Sequence, residues 1–135
     1  MVKISELKEG DIVKVMDAGI EKTGTVVEIN RPDNMACIDN GVQEFWYPAE
    51  EIIPVPLTED QLINTLGFEK EMTAEGEKFK KGPFRLIVHD PGDYTHIDMW
   101  YREDKRHFGH PLYVHELQNH YLQMTKVPLE ASFAR

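Results

Sequence analysis

The segment Val55–Phe68, VPLTEDQLINTLGF, contains signals for both ends of a short helix and is the most informative part of the sequence. Thr58 is a favoured N-cap residue, and Gln61 stands three positions later, where a capping box needs it. Gly67 can adopt the left-handed conformation that commonly ends helices, with Phe68 following it. The pattern predicts a helix at about residues 59–66 that separates a strand-rich first part from a mixed second part.

The first part, residues 1–55, consists of short strand-like segments separated by turn residues. Asn40-Gly41 is typical of a hairpin turn. Four or five short strands at this spacing predict a small meandering barrel. The clearest strands are expected at Asp11–Met16, Thr23–Ile29, Met35–Asp39 and Val42–Tyr47.

Three features of this part resemble the Src-homology-3-type barrels of ribosomal and transcription proteins. They are the run Lys8–Val15 with its Gly-Asp pair, the strand Gly24–Ile29, and Trp46-Tyr47 ahead of a closing strand. The resemblance implies a small SH3-like β-barrel lobe. Such barrels act as peptide readers, nucleic-acid readers and structural modules, so the resemblance predicts a fold and leaves the function open.

The second part, residues 56–135, is predicted to be an α+β lobe with the short helix, an antiparallel hairpin sheet and one main helix at about residues 112–126. The sequence predicts two strands joined by a Pro-Gly turn, at Phe84–His89 and Tyr94–Tyr101. Arg102–His107 reads as a charged run exposed to solvent. The whole chain is therefore expected to be α+β, with the N-terminal barrel packed on the C-terminal lobe.

The composition limits the cellular setting. A single cysteine, Cys37, excludes an internal disulfide and is typical of a reducing compartment. The N-terminal residues have no apolar leader, and no apolar run reaches membrane-spanning length. We expect a cytoplasmic protein with no membrane partner.

The net charge of −9 argues against nucleic acid as the partner, because Lys and Arg supply most of the affinity for phosphate backbones. Residues 1–55 hold five Lys and Arg against eleven Asp and Glu. A nucleic-acid-associated accessory protein stays an alternative, since one basic cluster exists. Its members are Lys78, Lys80, Lys81 and Arg85.

Adjacent aromatic residues suggest one candidate ligand surface. Phe45, Trp46 and Tyr47 could form a stacking platform or a groove for a peptide. The two-residue period of a strand sends Trp46 to one face and the other two rings to the opposite face. Core packing is the favoured interpretation, and Trp46 and Tyr47 are retained as a candidate surface.

A hairpin rich in histidine and aspartate suggests a second candidate surface. His89, Asp93, His96 and Asp98 flank the Pro-Gly turn, and imidazole and carboxylate groups suit divalent metals or acid–base chemistry. No third element of the sequence is required to converge on them. We therefore predict no metal, no cofactor and no catalytic residue, and retain His89, His96 and Asp98 as candidate ligand-binding residues.

The sequence lacks the other catalytic motifs that its residues could suggest. His115 and His120 are five residues apart, about 140° around a helix, so they do not form the zinc-protease motif. The sequence also contains no phosphate-binding glycine loop and no Gly-x-Ser-x-Gly turn. The favoured interpretation is a non-catalytic protein, with a metal-dependent enzyme at the His/Asp hairpin as a further alternative.

Two motifs resemble a group of short uncharacterised proteins from gut Bacteroidetes genomes, their prophages and mobile elements. They are the junction Pro54–Lys70, with its Pro-Leu-Thr-Glu and Gly-Phe-Glu-Lys runs, and the helix Tyr113–Tyr121. The segment Thr125–Glu130 departs from that group. The resemblance implies a bacterial or phage setting and no particular activity. We expect a binding or adaptor module whose partner is another protein, with a homo-oligomer left open.

Overall fold

The structure of the chain is a computed structural model that describes residues 2–131. These residues divide into two compact units. The first unit contains the residues up to Val55 together with Val114–Glu116, and the second contains Pro56–Tyr113 together with the residues from Leu117 onward. The first unit is therefore discontinuous in sequence. No helix within the described range is long and apolar enough to span a lipid bilayer.

The first unit contains one antiparallel sheet, called the first sheet below. Its five described strands are β1 (Ile12–Asp17), β2 (Ile20–Asn30), β3 (Met35–Asp39), β4 (Glu44–Pro48) and β5 (Ile52–Ile53). They are arranged in the order β4-β3-β2-β1-β5. Asn40 and Gly41 form the β3–β4 turn, as predicted, and Gly41 has a φ of +93° that favours glycine.

A short polar turn places the start of β1. The carboxylate of Asp11 is fully buried and accepts hydrogen bonds from the backbone N–H of Lys8, over 3.0 Å, and from its Nζ. Burial raises the pKa of Asp11, and the hydrogen bonds from Lys8 oppose that effect only in part. Apolar residues fill the core of this unit, and they are Val2, Ile4, Leu7, Val13, Val15, Val26, Ala36, Ile38, Tyr47, Ala49 and Ile52.

The second unit contains another antiparallel sheet, called the second sheet. Its five described strands are β6 (Glu69–Thr73), β7 (Gly76–Lys81), β8 (Phe84–Asp90), β9 (Asp93–Tyr101) and β10 (Asp104–Phe108). Each strand pairs with the next one along the chain, so the order is β10-β9-β8-β7-β6. The charged run at Arg102–His107 is mostly exposed, as predicted, but its residues from Asp104 onward belong to strand β10, which was not predicted.

The Val55–Phe68 segment contains the predicted helical turn with one difference. Thr58 Oγ1 accepts a hydrogen bond from the Gln61 N–H over 3.2 Å, and Gly67 has a φ of +76°, so both end signals are confirmed. The turn at Gln61–Thr65 is π-helical, because the Leu66 N–H reaches the carbonyl of Gln61. Gln61 Oε1 is buried with no hydrogen-bond partner within residues 2–131, so the reciprocal half of the capping box is absent there.

The main helix, α1, spans Val114–Thr125, and its residues from Leu117 onward belong to the second unit, where they contact one face of the second sheet. The ring of Tyr121 lies 4.8 Å from the ring of Phe84 on β8, measured between centroids. On β10, Arg106 donates hydrogen bonds to His120 Nδ1 and Gln123 Oε1, both over 2.8 Å. Aromatic and polar contacts together hold α1 on this face.

The predicted α+β class and the SH3-like barrel are wrong. Within residues 2–131 the chain has ten strands and one α-helix, so it is mainly β. The first sheet is open, because its end strands β4 and β5 do not pair with each other in the described residues. β5 has only two residues, Ile52 and Ile53, and both pair with β1. The barrel was predicted from the number and spacing of the short strands, and these do not show whether the two end strands meet.

Candidate binding site on the second sheet

The face of the second sheet that points away from α1 carries the candidate site. On β8, Phe84 points towards α1, where it meets Tyr121. Because side chains alternate along a strand, Ile87 and His89 point to the other face, and Asp98 joins them because it lies directly opposite Ile87. We call this surface the open face, and its members are Lys78, Arg85, Ile87, His89, Asp98, Trp100, Lys105 and His107.

A row of three side chains crosses three neighbouring strands on the open face. The Asp98 carboxylate, on β9, lies between His89 on β8 and His107 on β10. Asp98 Oδ2 is 2.8 Å from His89 Nε2, and Asp98 Oδ1 accepts a hydrogen bond from His107 Nδ1. Each oxygen therefore holds a different imidazole ring, and this arrangement fixes the orientation of both rings.

The hydrogen bonds within this row favour the charged forms of Asp98 and His89. Partial burial of Asp98 works against ionisation, but the hydrogen bonds from His107 and His89 outweigh it, and the pKa of Asp98 lies below its usual value. The hydrogen bond to Asp98 raises the pKa of His89, and a hydrogen bond to the backbone of Glu75 acts in the same direction. Asp98 is ionised, and His89 holds its proton to a higher pH than a free imidazole does.

A shallow hollow of about 460 Å³ lies over this row. Its floor includes Ile87, which is only 3% exposed, and its wall includes Trp100 and Lys105. The ring of His96 stacks on the ring of His107 at 6.4 Å between centroids, with 18° between the planes. The hollow therefore combines an apolar floor with imidazole and ammonium donors at its rim.

The residues predicted as the His/Asp group are only partly together. His89 and Asp98 are in direct contact, and His96 reaches the group through its stack on His107. Asp93 belongs to the turn instead, because its Oδ1 accepts hydrogen bonds from the N–H of Thr95 over 3.0 Å and from its hydroxyl over 2.6 Å. Both hydrogen bonds lower the pKa of Asp93, and the one from the hydroxyl has the larger effect.

The described residues contain no group of three His, Cys, Asp or Glu side chains in an arrangement that could hold a metal ion. The geometry of the row gives the physical reason. Both oxygens of Asp98 are engaged by imidazole N–H groups, one from His89 and one from His107. A metal would have to replace these hydrogen bonds and gather nitrogen atoms from opposite sides of the carboxylate.

Sequence reasoning missed His107 and Lys105. Both lie on β10, in the segment predicted to be an exposed charged run. The available signal was the alternation of Asp104–Phe108, which can pair residue by residue with Ile97–Tyr101. Trp100 was assigned to a strand, but its place beside the His/Asp group was not recognised.

Trp46 and Tyr47, the other candidate surface, lie on β4 of the first sheet. Tyr47 is buried in the core of the first unit, whereas Trp46 is 43% exposed. The rings of Phe45 and Tyr47 are nearly perpendicular, with 6.5 Å between their centroids, and Phe45 is 42% exposed. The two predicted surface residues therefore have different environments, and Trp46 is the accessible one.

Comparison of the chain with models of protein families, with curated proteins and with solved structures finds no match.

Proposed function

We propose that the protein is a non-catalytic binding module of a bacterial or phage system, acting in the cytoplasm, and that the open face holds an acidic group of a partner protein. The observation that supports this most directly is the hollow beside the His89–Asp98–His107 row. Its lining combines hydrogen-bond donors with the side chains of Trp100 and Ile87. Such a mixture of apolar floor and polar rim is typical of binding sites.

Cations at the hollow favour an anionic group. Lys105 and Lys78 take part in no ion pair within residues 2–131, and both lie on the open face. His107 is the more exposed imidazole of the row, with its side chain 62% exposed against 37% for His89. Its Nδ1 is held by Asp98, so its Nε2 is left to contact a ligand. The carboxylates of Glu75 and Asp98 oppose this positive charge, and the proton that His89 keeps through its raised pKa offsets part of their effect.

A binding role is preferred over catalysis because the row has little capacity for proton transfer. His89 uses one ring nitrogen for Asp98 and also hydrogen-bonds the backbone of Glu75. The described residues around the hollow include no serine, threonine or cysteine that could act as a nucleophile. Within the row, His107 Nε2 is the group left to act as an acid or base.

Nucleic acid receives less support as the partner. In the basic cluster, Lys80 pairs with Glu71 at 3.3 Å, and Arg85 donates hydrogen bonds to the carbonyls of Gly82 and Phe84. These contacts satisfy part of the positive charge internally. The net charge of −9 acts in the same direction.

The proposal is tested by titrating the protein with a short glutamate-rich peptide and following the Trp100 indole signal by NMR. We expect Lys105→Gln to weaken binding roughly three- to tenfold, because it removes a cation at the hollow. Lys126→Gln is the matched control, since it removes the same charge just after α1, on the other side of the second sheet.

Equal weakening by both variants would mean that attraction is unspecific and would contradict the proposal. Tight binding of an oligothymidylate with a steep salt dependence would favour the nucleic-acid alternative instead. Because the open face belongs to the second sheet and β4 to the first sheet, neither outcome depends on β4.

A further inference from the structure

β4 is an end strand of the first sheet, and its outer edge has no strand partner within residues 2–131. The other end strands have features that discourage the addition of a further strand. β5 has only two residues, while β6 and β10 are rich in charge, with Glu69–Glu71 and Asp104–His107. β4 carries exposed aromatic side chains instead.

The hydrogen bonds at both ends of the β3–β4 hairpin determine which backbone groups of β4 face outward. The Asn40 N–H donates to the Gln43 carbonyl, and the Ala49 N–H donates to the Asn34 carbonyl, both over 3.1 Å. In an antiparallel pair, residue pairs bonded across the two strands alternate with pairs that are not. The two hydrogen bonds, one before and one after β4, predict the same alternation along this strand.

By this alternation, Glu44 and Trp46 direct their N–H and C=O groups away from β3. Pro48 is the next residue whose backbone faces outward, and because proline has no N–H it leaves no unpaired donor at the edge. The free edge thus offers two residues with complete donor and acceptor sets. It matches the backbone of a short incoming strand.

The side chains beside this edge provide contact area and negative charge. Trp46 lies opposite Cys37, and Glu28 lies opposite Cys37 on its other side. Asp39 and Glu44 form the adjacent pair on the same face. Strand register therefore puts Glu28, Asp39 and Glu44 on the face of the sheet that carries Trp46. Burial, and then these carboxylates, raise the pKa of the Cys37 thiol on that face.

We infer that the free edge of β4 is a docking site for an extended, positively charged segment of another protein, which adds to the first sheet as a further strand. Backbone hydrogen bonds to Glu44 and Trp46 supply the affinity common to such additions. Lys or Arg side chains of the segment lie over Trp46 and beside the carboxylates, where cation–π and ionic contacts favour them. The occupant is therefore basic.

A second copy of the chain fits this edge less well. Residues 1–55 carry five Lys and Arg against eleven Asp and Glu, so two copies of the edge would bring like charges together. A basic segment removes that repulsion. This inference concerns the first sheet and does not require the open face of the second.

The test uses two short peptides, one of alternating Lys and Val and one of alternating Glu and Val. Isothermal titration gives the affinity, and backbone NMR signals locate the contact. We expect the Lys–Val peptide to bind and to shift the amide signals of Glu44 and Trp46. Trp46→Lys should weaken binding roughly tenfold or more, because it replaces the aromatic contact with a like charge.

Further variants separate the contribution of charge from that of strand addition. Glu44→Gln should weaken binding about threefold, whereas Glu50→Gln, a matched exposed glutamate in the turn after β4, should change it less than about twofold. Glu44→Pro should abolish binding by removing an outward N–H, and its NMR spectrum shows whether it folds. Trp46→Lys remains decisive if Glu44→Pro does not fold. Lys105→Gln should leave Lys–Val binding unchanged.

Four outcomes would overturn the inference. They are the absence of binding at millimolar peptide, equal binding of the Glu–Val peptide, equal losses from Glu44→Gln and Glu50→Gln, and a dimer of the free protein that Trp46→Lys abolishes. The last outcome would assign the edge to a second copy of the chain.

Discussion

Asp98 and His107 lie directly opposite each other on β9 and β10, and the carboxylate accepts a hydrogen bond from Nδ1 of the ring. This contact determines which ring nitrogen carries the proton when His107 is neutral. It links a residue that was predicted to bind a ligand with one that was not. Any ligand or proton that reaches His107 meets Nε2.

The first prediction concerns that proton. We expect ¹⁵N NMR to find neutral His107 protonated at Nδ1, because the Asp98 carboxylate needs a donor there. In Asp98→Ala this preference should disappear. His110, whose ring lies next to the carbonyl of Pro111, serves as a reference within the same spectrum. A neutral His107 protonated at Nε2 in the wild-type protein would contradict the assigned hydrogen bond.

The second prediction concerns stability against pH. The pKa of His89 is raised mainly by its hydrogen bond to Asp98, so the folded state favours the protonated ring. The stabilisation is fully present below about pH 6.5, the value for a free imidazole, and is lost as pH rises through the raised pKa. Urea unfolding should therefore separate the wild type from His89→Gln more at about pH 6 than at about pH 9. A difference that grows with pH would show that the sign is wrong.

The third prediction concerns Gly76, which begins β7. It has a φ of +135°, and an added Cβ would clash with the Val88 carbonyl oxygen. Gly19→Ala is the control, because Gly19 also has a positive φ, +80°, but nothing lies within 4 Å of its Cβ position. We expect Gly19→Ala to lower the free energy of unfolding by about 1 kcal/mol and Gly76→Ala by at least about 1 kcal/mol more. Equal losses in denaturant titrations would mean that the backbone near Val88 moves aside.

The fourth prediction concerns Leu62 in the π-helical turn. Its side chain is completely buried, so Leu62→Ala should lower the free energy of unfolding by about 2–5 kcal/mol. Met72, on β6 of the same unit, is 62% exposed, and Met72→Ala should cost less than about 0.5 kcal/mol. Thermal and urea unfolding of both variants test the contrast. A small loss for Leu62→Ala would show that the cavity collapses on substitution.

Signals confined to a few neighbouring residues could be predicted from the sequence. Thr58 caps the turn and Gly67 ends it, because both effects depend on local backbone geometry. The π-helical form of that turn could not be predicted. It places Leu62 and Leu66 completely out of solvent, and such burial depends on residues distant in sequence.

Closure of the first sheet could not be predicted, because strand spacing does not state which end strands meet. The sheet stays open because β5 is short: it consists of Ile52 and Ile53, and both pair with β1. A two-residue strand offers too few backbone groups to join β1 to β4. The error in fold class follows from this point and from the strand β10.

The candidate site was half predictable for a comparable reason. His89 and Asp98 were recognised because the Pro91-Gly92 turn brings their strands together. The next hairpin turns at Arg102, which has a φ of +57° although arginine rarely adopts it. No glycine or asparagine marks that turn, so β10 and His107 were not identified.

The discontinuous first unit has a consequence for how the chain is made. The Val114 N–H donates to the Val55 carbonyl over 2.8 Å, and His115 is 2% exposed in the same unit as Asp11. Synthesis from the N-terminus delivers the first sheet early and these residues late. A nascent chain therefore leaves the ribosome with the first unit incomplete until all five described strands of the second sheet have been translated. The unit that starts first is finished only when α1 begins to emerge.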